Sequence, residues 1–328
     1  MSGERMPRTQ WDRPPGSRTD LLVHRPARRL LTGSIENTIE AAVMLKDPRS
    51  AGPRPPFPEQ QQSAPGKTAK LDPAPDHGED SYVGHDRLKG CAAIITGGDS
   101  GIGRAVAIAY AREGADVLIA YLSEDEDAKE TAGWIRRAGR TAVLMKGDIG
   151  EEGYCNEVVE RATAEFGRLD ILVNNAAFQR THEKLADFTR EEIERTFRTN
   201  IYSMFFLAKA AAAKMKPGSS IINTASIQAD DPSPQLLAYA ATKGAITNFT
   251  SGLAEMLAPE GIRVNAVAPG VIKTPMHAPD THEFLAGLHP LNRMGEVQEI
   301  VDAVLYLESA GFVTGEVLYV DGGITASQ

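Results

Sequence analysis

Thr96-Gly97-Gly98-Asp99-Ser100-Gly101-Ile102-Gly103 is the stretch on which the fold turns. An apolar run, Cys91 to Ile95, leads into it, and a helical pattern over 104–113 follows. Strand, glycine turn and helix in that order form a dinucleotide-phosphate site. The glycines allow a sharp turn and let the backbone approach a pyrophosphate with no Cβ in the way. The helix that follows turns its first N–H groups and the positive end of its dipole toward the phosphates. Glycines also make turns that hold no ligand, so the motif needs support from the rest of the chain.

Outward from this turn the pattern alternates. Strands are expected at 91–96, 115–121, 141–146, 169–174, 219–225, 262–268 and 316–320, most of them short and rich in Val, Ile and Leu, as strands buried on both faces are. Helices are expected at 102–113, 125–138, 151–166, 190–215, 238–258 and 296–308. Repeated β–α units predict an α/β fold, a single Rossmann-type doubly wound domain over 88–328 with a seven-stranded parallel sheet. Prolines recur from Asp47 to Asp76 around Gln60-Gln61-Gln62. Proline lacks the N–H that ladders need, so 51–87 is expected to be an extended arm. Within it, Asp76-His77-Gly78-Glu79-Asp80 reads as a solvated loop in preference to a metal site. Residues 1–50 read as a poorly ordered basic leader, with a short helix from Ser34 to about Lys46 as one option.

Composition narrows the function. The net charge of −9 argues against a nucleic-acid or anionic-membrane partner. No apolar run is long enough to span a bilayer. Arg28-Arg29 is followed by carboxylates where an export signal needs apolar residues. The two cysteines, Cys91 and Cys155, lie in an apolar strand and a helix and read as reduced thiols, and no Cys/His cluster suggests a metal. A cytoplasmic protein is expected.

Several residues carry chemistry. Tyr239 and Lys243 stand four apart in a helical stretch, which puts a phenol and an ammonium on one face. A fixed cation favours phenolate, so Tyr239 is expected to have a lowered pKa and to act as an acid/base near neutrality. Ser226 closes the preceding strand, where its hydroxyl can face Tyr239 and hold a carbonyl oxygen. Asp148, after the third strand, either accepts from an adenine amino group or caps the next helix. Asn174-Asn175-Ala176-Ala177 ends the fourth strand. Its small residues permit close approach to a ligand, and its Asn side chains can tie strand ends together.

Taken in order, Thr96-Gly97…Gly101-Ile102-Gly103, Asp148, Asn174-Asn175-Ala176, Asn200, Ser226, Tyr239…Lys243 and Pro269-Gly270…Thr274-Pro275 resemble the short-chain dehydrogenase/reductase family over about 88–324. Pro55-Pro56-Phe57-Pro58-Glu59-Gln60-Gln61 is similar to the Pro/Gln-rich N-terminal arm of a bacterial subgroup of general-stress and NADP-linked aldehyde-reductase-like oxidoreductases. Ala177 stands where many relatives carry Gly. The resemblance implies hydride transfer between NADP(H) or NAD(H) and a small carbonyl or alcohol substrate. Tyr239 would be the general acid/base, Lys243 would lower its pKa and bind the nicotinamide ribose, Ser226 would polarise the carbonyl, and Asn200 would anchor a proton-relay water. Gly97, Ser100, Gly101, Ile102, Tyr121, Asp148, Ile149, Asn175, Ala176, Tyr239, Lys243, Pro269, Gly270, Ile272 and Thr274 would contact the cofactor. Tyr121 stands where NAD-specific members carry Asp, and Ser123 and Arg104 are candidates for a 2′-phosphate, so NADP is favoured. Against it, acids crowd 124–127. In the loop after Pro275, Phe284, Leu285 and Leu288 read as an apolar lid or a short helix, and His277, His282 and His289 as exposed. The family implies a homotetramer joined through helices 190–215 and 238–258 and strand 316–320, with the arm wrapped on a neighbour. A catalytically silent dinucleotide-binding sensor is the alternative.

Overall fold

Each expected apolar run forms a strand. They are β1 (Ala92–Thr96), β2 (Asp116–Tyr121), β3 (Ala142–Lys146), β4 (Ile171–Asn174), β5 (Ser220–Thr224), β6 (Arg263–Pro269) and β7 (Val317–Val320), within two residues of expectation. They form one parallel sheet in the order β3-β2-β1-β4-β5-β6-β7. Every residue of β1, β4 and β5 is buried, whereas the edge strand β7 is half-buried throughout. The period of two divides β1 between the sheet's two faces. Ala93 and Ile95 join one apolar cluster and Ile94 joins the other. The computed structural model describes residues 47–50, 52–53, 56–58, 70–277 and 281–327. The leader's expected helix, Arg28-Arg29 and Gln60 to Gln62 lie outside them.

Helices cover both faces. α1 (Gly101–Arg112) and α2 (Asp125–Arg137) lie on one side, and α3 (Glu152–Phe166) packs on the other. The single helix expected at 190–215 is broken into α4 (Arg190–Phe197), a π-helical turn (Arg198–Tyr202) and α5 (Ser203–Ala212). A π turn is a single wide turn that recurs at functional sites. Here it holds Asn200, which is fully buried. Next come α6 (Leu237–Leu257), α7 (His282–Gly287) and α8 (Val297–Ser309). No helix among the described residues is long and apolar enough to cross a membrane.

The order reverses between β1 and β4, so their C-terminal ends open a crevice at the switch point of the sheet. The glycine turn lies there.

The described part of the arm packs on its own chain, in one compact unit spanning Lys46–Gln328. Leu71 is buried. Glu113 of the α1 C-cap accepts from Tyr82, from the Arg87 guanidinium at 2.6 Å and from the backbone N–H of His85 at 2.9 Å. The solvated loop expected at 76–80 is instead an anchor. His77 is 1% exposed and pairs with Glu79, and Glu79 pairs with Arg104 of α1 at 3.0 Å. A run of adjacent polar residues reads as solvated only while its partners are unseen. Here the partner of Glu79 is 25 residues away and buried.

Candidate active site

The glycine turn is closed by atoms that leave no room for side chains. A Cβ on Gly103 would stand 2.1 Å from the Gly97 carbonyl oxygen and 2.6 Å from Asn175 Nδ2. Gly97 has a φ of +64°, and a Cβ there would meet the Ala176 Cα at 3.1 Å. The Thr96 hydroxyl accepts from the N–H groups of Asn175 and Ala176 at 2.9 and 3.0 Å. Asn175 Nδ2 donates back to the Thr96 and Gly97 carbonyls at 3.0 and 3.3 Å, and Asn174 donates to Asn223 of β5 at 2.9 Å. The paired asparagines therefore tie the ends of β1, β4 and β5. Such a bare cradle beside a helix N-terminus fits a dinucleotide pyrophosphate. Ser100 is the N-cap of α1 and makes no side-chain capping bond.

A second group lies beyond β5. Ser226 caps a short 3-10 turn, accepting from Gln228 N–H at 3.2 Å. Tyr239 and Lys243 lie on one buried side of α6, with the ammonium 5.1 Å from the phenol ring centre. Lys243 donates to the Thr224 carbonyl at 2.7 Å, which leaves two of its protons for other acceptors. Charge does not follow the expectation of a lowered phenol. Burial pushes Tyr239 up to about 12, and its hydrogen bond with Ser226 opposes that only in part. Burial pushes Lys243 down to about 7. Both side chains are nearly fully removed from water, which penalises phenolate and ammonium alike.

Asn200 joins the two groups. Its carboxamide oxygen accepts from Phe178 N–H at 2.8 Å, and its Nδ2 donates to the Phe178 carbonyl at 2.9 Å and the Thr242 hydroxyl at 3.0 Å. A path thus runs by hydrogen bond from Gly97 to Asn175, along the chain to Phe178, and by hydrogen bonds through Asn200 and Thr242 to the Tyr239 carbonyl. The side-chain donors of Asn200 are committed, so they are not available to hold a relay water.

The other expected residues line the same end of the sheet. Pro269 ends β6, and Ile272 and Thr274 are buried behind it. The Thr274 side chain lies 3.3 Å from where a Gly101 Cβ would stand, so it packs over the glycine turn. Asp148 caps no helix, since Glu151 is the N-cap of α3. It is exposed, accepts from Gly150 N–H at 2.8 Å, and shares a groove with Glu191, Glu194, Arg195, Arg198 and Thr199. Ile149 is buried. Tyr121 donates to Asp125 at 2.8 Å, and Ser123 is exposed beside Glu124. Arg104 is not available to a 2′-phosphate. It is 3% exposed and paired with Glu79 and Glu130.

His282 and His289 are buried, contrary to expectation, and His289 Nε2 accepts from Val271 N–H at 3.2 Å. Phe284 and Leu288 are exposed on or just after α7, so this segment is a short helix with apolar side chains facing outward. Sequence inspection did not single out Thr224, Phe178, Thr242 or Arg293. They act through a backbone carbonyl or long-range bonds that leave no local signal. No metal-binding group occurs among the described residues.

Comparison with known proteins agrees with this fold. The family model described as enoyl-(acyl carrier protein) reductase matches residues 97–325. General stress protein 39 of Bacillus subtilis is 48% identical over 274 residues, covering 81% of this chain and 96% of that protein. The uncharacterized oxidoreductase YghA of Escherichia coli is 45% identical, covering 85% of this chain and 98% of that protein. A short-chain dehydrogenase from Burkholderia cenocepacia, solved in complex with NADP, superposes with a TM-score of 0.71 at 33% identity, covering 73% of this chain and 99% of that one. The chain, with its switch-point glycine turn and its buried serine, tyrosine and lysine, belongs to the short-chain dehydrogenase/reductase family of oxidoreductases.

Proposed function

We propose that this protein transfers a hydride between NADP(H) and a small carbonyl compound, reducing an aldehyde or ketone to its alcohol or running the reverse, with Tyr239 as the general acid/base. The observation that carries this is the enclosed group of Ser226, Tyr239 and Lys243, linked by bonded contacts to the glycine turn. Gly97, Ser100, Gly101 and Ile102 would hold the pyrophosphate, Asp148 and Ile149 the adenine end, and Asn175, Ala176, Pro269, Gly270, Ile272 and Thr274 the nicotinamide end. The dinucleotide, when bound, supplies or accepts the hydride. Ser226 holds the carbonyl oxygen. In reduction Tyr239 donates its phenolic proton to that oxygen, and in oxidation it takes the proton back. Lys243, charged below about 7, stabilises the phenolate left behind and has two further donors for ribose hydroxyls. Asn200 locks the π turn against Phe178 and Thr242. A relay water would then sit on its backbone carbonyl.

NADP(H) follows from the Burkholderia relative and from the missing acid at Tyr121. One observation favours NAD(H) as a second reading: Glu124 and Asp125 stand beside Tyr121 and Ser123, and Arg104 is spent on Glu79 and Glu130. The remaining proposals are a cytoplasmic homotetramer built through α5, α6 and β7, where Phe205 and Met256 are exposed, and the 1–50, 51–87 and 88–328 organisation. Light scattering on purified protein tests the assembly.

The decisive experiment runs NADPH and NADH in parallel against a panel of aldehydes and ketones. Wild type turns over. Tyr239→Phe loses about 10³-fold in kcat, with the dinucleotide dissociation constant nearly unchanged. Wild type that binds dinucleotide and reduces nothing on the panel would replace this reading with the sensor alternative.

A further inference from the structure

Residues 271–277 and 281–295 form a small annex beside the sheet. Val271, Leu285, Ala286 and Met294 make an apolar cluster of their own, separate from the two large ones. A few bonds fasten the annex: an isolated bridge between Ile272 and Gly295, Lys273 N–H to the Gly295 carbonyl at 2.9 Å, Gly295 N–H to the Val271 carbonyl at 2.9 Å, and the His289 bond to Val271. So small a cluster, with Phe284 71% exposed on α7, supplies little local stability.

Among the described residues, the N-terminal part of the chain touches this annex at Phe57 and at Pro48. Phe57 meets the His282 ring edge-on at 5.9 Å, and its own ring lies 5.9 Å from Lys273 Nζ. Lys273 is 1% exposed, and its ammonium has no hydrogen-bond partner among the described residues. Glu296 and Asp72 act on it through charge alone. The aromatic ring therefore supplies stabilisation that the ammonium does not receive from a hydrogen bond. The second touch is Pro48, whose carbonyl accepts from Arg293 Nε at 2.6 Å, while Arg293 grips Glu299 at 2.6 and 2.8 Å. Lys273 directly precedes Thr274, the residue that packs over Gly101.

We propose that Phe57 is a positioning residue: edge-on to His282 and beside Lys273, it braces residues 273–277 and 281–288 and so sets the geometry of the substrate side of the crevice. The link to turnover rests on the carbonyl-reductase reading above, but the brace itself does not.

The test compares Phe57→Ala and Phe57→Trp with wild type by amide exchange and by steady-state kinetics. For Phe57→Ala, exchange in 281–288 accelerates about tenfold, the scale of one lost aromatic contact, and exchange in α1 is unchanged. The KM for the carbonyl substrate rises by a similar factor, about tenfold, while kcat stays within about twofold. Phe57→Trp restores both. Exchange in 281–288 that matches wild type in a Phe57→Ala protein of normal melting temperature overturns the brace. Accelerated exchange that Phe57→Trp leaves uncorrected also overturns it. Exchange needs no turnover, so an inactive wild type would sink the reductase reading alone.

Discussion

Two regions meet where Thr274 packs over Gly101, and they are held in opposite ways. The glycine turn, 96–103, is fastened by short bonds to residues of the adjacent strand end: the Thr96 hydroxyl to two N–H groups, and Asn175 to two carbonyls. It has no slack, because a Cβ on Gly103 would overlap the Gly97 carbonyl. The annex of 271–277 and 281–295 has a cluster of four apolar side chains, an isolated bridge, and contacts to a segment more than two hundred residues earlier in the chain. On the proposed function, the first region needs the same geometry for every substrate, since the pyrophosphate does not vary. The other can be retuned by changing what leans on it. On the reading proposed above, rigid binding and adjustable specificity fall to two sides of one crevice.

The contrast can be broken first at its rigid side. Gly103→Ala adds a methyl to helical backbone with nowhere to shift, so a cost of at least about 3 kcal/mol and loss of dinucleotide binding are expected. Urea denaturation and a dinucleotide titration measure both, and wild-type binding would show that the turn has slack after all. Asn200→Ala tests the link toward Tyr239. It strands the half-buried Phe178 N–H and carbonyl and takes one donor from the buried Thr242 hydroxyl, which costs about 2 kcal/mol. A Thr242→Val variant, which removes only one of those partners, should lose about half as much in the same denaturation series.

The last expected effect concerns the arm. Burial pushes Glu113 up, but bonds from Arg87, Tyr82 and the backbone outweigh it and hold the carboxyl at about 2. Burial likewise pushes Glu79 up, and His77 and Arg104 bring it down to about 2. A carboxyl lowered on folding stabilises the fold above its unfolded value near 4.3 and loses that contribution as pH falls toward 2. Glu113→Gln should therefore cost about 1–2 kcal/mol at neutral pH, and its melting temperature should converge on that of wild type between about pH 4.5 and 2. Parallel curves over that window would mean that the arm is not held by these carboxylates.

Some of this was legible beforehand for a physical reason. A strand buried on both faces must be apolar along its length, so Ala92–Thr96 or Ile171–Asn174 can be read directly. Tyr239 and Lys243 share a helix, where spacing alone sets the face. The break at Arg198–Tyr202 left no such mark, because it depends on Phe178 and Thr242 reaching Asn200 from elsewhere in the chain. His77, Glu79 and Asp80 looked like a solvated run, yet His77 is buried because Glu79 meets Arg104 on α1.

The sequence by itself determined the doubly wound sheet, the glycine turn and that Tyr239 and Lys243 share one face of α6, since period, glycine placement and helical spacing are local properties of a chain. Only the tertiary structure decided how deeply those side chains are buried, and burial moves the phenol up and the ammonium down. It also decided that Arg104 serves the arm and not a phosphate, and that Phe57 rests on Lys273 and His282. Contacts between distant residues depend on the path of the whole chain, which no single stretch encodes.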